Sequence, residues 1–76
     1  MPRLVPVSYR QLVAVFERDG WTYARTKGDH LIYTKPGSIR PLVIPRYGEV
    51  PVFIIKNLLR TSGMSRERYF DLLEQG

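Results

Sequence analysis

The chain has 76 residues, 43% of them hydrophobic, with 12 Lys or Arg against 7 Asp or Glu, one His, no Cys and a formal charge of +5. That length fits one small domain over residues 1–76, and the residue types exclude a disulfide framework, a thiolate nucleophile and a Cys/His zinc site within one chain. No apolar run is long enough to span a bilayer, and Met1 to Val7 lack the apolar stretch of a secretory signal, so the expected address is the cytoplasm with no membrane partner.

Ser8-Tyr9-Arg10-Gln11 is a capping-box pattern, with Val7 as its hydrophobic staple. Leu12, Val15 and Phe16 recur at helical spacing and Gly20 is a stop, which predicts a helix over 8–19. Trp21 to Lys27 and His30 to Lys35 are rich in aromatic and β-branched residues. Gly28-Asp29 between them suits a two-residue type II′ hairpin turn. Pro36-Gly37-Ser38 is a second turn, and Ile39 to Pro45 a third strand. Pro41 has no N–H to give, so that strand belongs at an edge or is bulged there.

Arg46 to Val50 is a loop, and Pro51 fits the first position of a helix whose stripe is Ile54, Ile55, Leu58 and Leu59. Gly63 stops it, and Ser65 caps a last short helix with Tyr69, Leu72 and Leu73 inward. The order is α-β-β-β-α-α. The fold class is α+β: a three-stranded antiparallel meander with helices on one face and the other face partly open.

The excess charge is concentrated. Residues 21–46 carry Arg25, Lys27, Lys35, Arg40 and Arg46 against Asp29 alone, a balance of +4, whereas residues 47–76 balance to zero. A basic patch fits a polyanion partner, and equally a solvated surface. His30 is the one imidazole, and histidine is the side chain that changes charge near neutral pH. Beside Arg25, Lys27 and Lys35 it is the minimum set for metal-free RNA cleavage. An imidazole takes the 2′-hydroxyl proton, and cations stabilise the charged phosphorane. The plain alternative is a histidine satisfied by a backbone carbonyl. Tyr23, Tyr33 and Tyr47 fit base stacking or cross-strand packing. No carboxylate set has metal-ligand spacing and no cofactor motif appears. Val50, Val52, Phe53, Ile54 and Ile55 exceed what one helix can bury, so Val52, Phe53 and Ile55 are expected outside the core as a partner surface.

The segment Gly20-Trp21 … Arg25-x-Lys27-Gly28-Asp29-His30-Leu31-Ile32-Tyr33 resembles the first half of the HicA (YcfA-like) family, small toxins of toxin–antitoxin pairs. Pro36-Gly37, Val43-Ile44-Pro45, Leu58-Leu59-Arg60 and Gly63-Met64-Ser65 continue the likeness in order, from Tyr9 to Leu73. Two positions depart from the family pattern. Asp29 stands where Ser is usual, and Tyr47 where many members have a second His.

The resemblance implies a fold like that of double-stranded-RNA-binding domains and an endoribonuclease that cuts mRNA. It implies that His30 is catalytic and that a HicB-like antitoxin blocks it. On this reading Lys27, Lys35, Arg25 and Arg46 bind RNA and Gly28 admits its backbone. Val52, Phe53 and Ile55 seat the antitoxin or a second copy of the chain. The competing reading is a non-catalytic RNA-binding module of the same fold.

Overall fold

A computed structural model describes residues 3–75. Met1 and Pro2, part of the leading stretch read above, and Gly76, the end of the expected domain, lie outside the described residues.

The element order is α1 (Tyr9–Arg18), β1 (Thr22–Lys27), β2 (His30–Thr34), β3 (Leu42–Pro45), α2 (Val52–Ser62) and α3 (Arg66–Glu74). This is the α+β order expected, with an open antiparallel sheet in the order β1-β2-β3. The capping box forms as read. The Ser8 side chain accepts from the Gln11 N–H, and the Gln11 side chain accepts from the Ser8 N–H at 3.0 Å. Leu12, Val15 and Phe16 then fall on one side and are wholly buried.

In an antiparallel pair, residues directly opposite share a face. The register therefore assigns each side chain a face. Tyr33 pairs with Leu42 and Leu31 with Ile44, and this face meets the helices. Leu42 and Ile44 are fully buried there among Leu12, Phe16, Val50, Ile55, Leu58, Tyr69 and Leu72. His30 pairs with Pro45 and Ile32 with Val43, and this face carries no helix. Ile32 and Pro45 are nonetheless buried, and Ile32 stands outside the main core cluster.

The third strand is shorter than expected. It begins at Leu42 rather than Ile39, which is fully exposed. Arg46 N–H donates to the Asp29 carbonyl at 2.7 Å, so the alternation turns the backbone groups of Leu42 and Ile44 toward β2. Pro45, and Pro41 just before the strand, then fall where the missing N–H faces outward and costs no ladder bond. The edge position expected from Pro41 holds.

Pro51 is the cap of α2 rather than its first residue. Ile55, expected outside the core, is fully buried. The phase of α2 explains this correction: Ile55, Leu58 and Leu59 lie at i, i+3 and i+4 and turn inward together. Phe53, two residues back and about 200° around the helix, is 67% exposed, and Val52 is half-buried at the margin. Arg18 ties α1 to α3 by donating from Nη1 to the Leu72 carbonyl at 2.6 Å.

Candidate active site

The site begins in the β1–β2 turn. Gly28 has φ +59° and no non-glycine residue described has a positive φ, as a type II′ turn requires of its two central residues. A Cβ at Gly28 would meet nothing within 4 Å. The glycine is therefore set by backbone conformation, and the space above it is open. The turn closes on the pair Lys27–His30. Their Cα atoms stand about 5.5 Å apart, with both side chains on the helix-free face.

A bulge sorts the rest of β1. The register shifts between Tyr23 and Arg25, leaving Ala24 as the extra residue. Arg25 pairs with Ile32 and so joins Lys27 and His30 on the open face. Tyr23 pairs with Tyr33 and is moved to the helix face, where the two rings meet edge to face with centroids 5.8 Å apart. Tyr23 Oη and Thr26 Oγ1 are 2.6 Å apart on that same side. Arg25, Lys27 and His30 are all exposed, and among the described residues neither cation is in an ion pair. The open face thus carries a solvent-accessible imidazole with one cation opposite and a second diagonal to it, over an Ile32 floor.

The other expected residues divide. Lys35 follows Thr34, the last residue of β2, five residues and roughly 16 Å from His30. It is engaged there, with Nζ 3.4 Å from Asp19 Oδ2 and 5.8 Å from the Trp21 ring centre. Its stem passes 3.5 Å from where a Cβ on Gly20 would stand. The structure does not bring Lys35 to the His30 cluster. Arg46 follows Pro45, so its backbone is adjacent to the site. Its guanidinium, however, lies 5.8 Å from the ring centre of Tyr9. Tyr33 is unavailable for base stacking: it is buried, and its Oη donates to Glu17 Oε2 at 3.0 Å. Burial, then the Glu17 hydrogen bond, pushes its pKa up to about 12. Tyr23 and Tyr47 remain half-exposed.

Tyr9 and Arg10 were not singled out from the sequence. They open α1 beside the site, where Tyr9 N–H donates to the Tyr47 carbonyl at 3.0 Å. The available clue was a helix whose first turn contains no acid. No group of three His, Asp or Glu side chains able to hold a metal gathers among the described residues.

The family model for the HicA toxin of bacterial toxin–antitoxin systems matches residues 9–64, from the first residue of α1 to just past α2. The chain belongs to the HicA toxin family. A comparison with curated proteins gives no match. Membership in HicA assigns the chain a toxin role and an antitoxin as its partner. The cluster at His30 lies inside the matched HicA residues, whereas α3 follows them. No helix among the described residues of this HicA chain is long and apolar enough to cross a membrane.

Proposed function

We propose that the chain is a metal-independent endoribonuclease toxin that cuts mRNA in the cytoplasm, with His30 as its proton-transfer group. The observation that carries this reading is the exposed pair His30–Lys27, opposite one another on the uncovered face of the sheet. His30 takes the proton of a ribose 2′-hydroxyl as that oxygen attacks the adjacent phosphorus. The bond to the 5′-oxygen breaks and that oxygen takes a proton, giving a 2′,3′-cyclic phosphate and a 5′-hydroxyl. Lys27, opposite His30, and Arg25, diagonal to His30, offset the charge that grows on the phosphorane oxygens. The open space above Gly28 lets the RNA backbone lie close to the turn. Lys35 contributes at long range, through the general attraction of a basic protein for RNA.

The partner in this reading is a HicB-like antitoxin that covers the open face. Val52 and the exposed ring of Phe53 give it an apolar foothold. The foothold could equally seat a second copy of the chain, and size-exclusion measurements on the chain alone and with its antitoxin separate these.

The test is cleavage of a defined RNA in EDTA. His30→Ala is expected to lower the rate by about 10²–10⁴-fold, the usual worth of a positioned acid or base, with the fold retained. Full cleavage by His30→Ala would end the catalytic assignment. Saturable binding with no scission by the unmodified chain would instead make it a non-catalytic RNA-binding module. Phe53→Lys is expected to weaken the antitoxin complex and leave the chain folded. An unchanged complex would remove Phe53 from the interface.

A further inference from the structure

On the other side of the sheet rim, two arginines converge on one tyrosine. The Cζ atoms of Arg10 and Arg46 each lie 5.8 Å from the Tyr9 ring centre, and Arg10 Nε donates to Tyr9 Oη at 3.4 Å. The three are fixed from behind by backbone bonds. Tyr9 N–H is held by Tyr47, Arg46 N–H by Asp29, and the start of α1 by the Ser8–Gln11 capping box. Among the described residues no carboxylate pairs with either arginine, and the first turn of α1 contains no acid. Two guanidinium groups gathered on one ring repel each other, and what offsets this among the described residues is the cation–π attraction of the ring, not an ion pair. The pair Lys35 and Arg68, by contrast, gathers around Asp19.

The missing partner is an anion with several acceptor oxygens. The planar fork of an arginine matches a phosphate in two-point fashion, and a tyrosine hydroxyl donates a third bond. Arg10 and then Arg46 pull the Tyr9 phenol below its ordinary pKa, a sign of the field an anion would meet there. We infer that Tyr9, Arg10 and Arg46 form a second phosphate site, one that grips a phosphodiester flanking the bond held at His30. The choice of RNA as the source of that phosphate rests on the nuclease reading above. Arg46 adjoins Pro45, the residue opposite His30, which puts its Cα within roughly 9 Å of the His30 Cα. Its side chain turns to the helix side, so the strand it holds bends around the rim rather than lying flat on the open face.

The experiment measures binding of a short single-stranded RNA to the His30→Ala chain over a series of salt concentrations, with the RNA checked intact on a gel. Arg10→Gln and Arg46→Gln are each expected to weaken binding and to flatten the log–log salt dependence by about 0.7, the share of one phosphate contact on a single strand. Tyr9→Phe is expected to weaken binding with the slope kept. Circular dichroism establishes that each variant is folded. Slopes equal to that of the parent in both arginine variants overturn the inference, even where affinity falls, because a merely structural lesion leaves the count of phosphate contacts unchanged. Should His30→Ala still cut RNA, the catalytic reading fails by itself. The same titration with 2′-O-methyl RNA, which lacks the nucleophile, then still decides the phosphate site.

Discussion

The two ends of β2 carry similar side chains in opposite electrical states. At the end near Lys35, Asp19 sits between Lys35 at 3.4 Å and Arg68 at 3.1 Å, with Trp21 buried beneath. At the end near His30, the cations Arg25, Lys27, Arg10 and Arg46 have no carboxylate partner among the described residues. One end uses its charges to hold α1, the sheet and α3 together. The other leaves its charges exposed to solvent, on the β1–β2 hairpin (Arg25, Lys27), at the start of α1 (Arg10) and just past β3 (Arg46). Like charge gathered without ion-pair partners costs stability, and its concentration at one end is what the proposed RNA contact rests on.

That contrast breaks most sharply by a pair of substitutions. Trp21→Ala at the far end is expected to remove about 3–5 kcal/mol of stability, as truncation of a buried aromatic does. His30→Ala at the tip is expected to leave unfolding within about 0.5 kcal/mol of the parent, as for an exposed side chain away from the core. Urea melts of the two proteins read both values. A His30→Ala chain as unstable as Trp21→Ala would make the histidine structural.

The middle of β2 adds a pH test. Tyr33 holds its proton up to about pH 12 in the folded chain, against about 10 when unfolded. Its folded pKa is raised, so its contribution is fully present below pH 10 and is lost as the pH climbs toward 12. Each unit of the difference is worth about 1.4 kcal/mol. Melts taken between those two pH values are expected to show falling stability that is blunted in Tyr33→Phe. An identical alkaline decline in Tyr33→Phe would assign the loss elsewhere, with Tyr69, also raised by burial, the next residue to change.

Much of this was legible in the sequence because it rests on local rules. The capping box, the stop at Gly20, the Gly28-Asp29 turn and the proline-marked edge strand are each set by a few adjacent residues. What was not legible depends on register and helix phase. Strict alternation would put Tyr23 on one face with Arg25 and Lys27, and only the bulge at Ala24 separates the aromatic from the cations. Ile55 looked surplus because five apolar residues crowd the start of α2, and their inward or outward sense follows from the packed helix. Lys35 looked close to His30 because both lie on one short strand, but an extended strand carries them to opposite ends. Arg10 and Tyr9 looked like ordinary helix-start residues until the loop at Arg46 folded onto them.

Asp19→Asn gives a smaller effect. It leaves two partly exposed cations without their shared carboxylate, and the expected loss is about 1 kcal/mol, shrinking as salt is added. RNA affinity should stay the same or rise slightly, since a negative charge has gone. A marked fall in RNA affinity would show that the far end also positions the site.

The smallest expected difference is the most discriminating for the map of the site. Lys27→Gln and Lys35→Gln remove the same formal charge from the same sheet, and a purely long-range attraction would penalise them equally. If RNA touches only the tip, Lys27→Gln lowers the salt-dependence slope by about 0.7 and Lys35→Gln leaves it unchanged. Lys35→Gln should also cost a few tenths of a kcal/mol in stability, as the contact with Asp19 is lost, whereas Lys27→Gln should cost none. Equal slopes in the two variants would mean that RNA spans the whole length of β2, and the division of the strand into a structural end and a binding end would then be wrong.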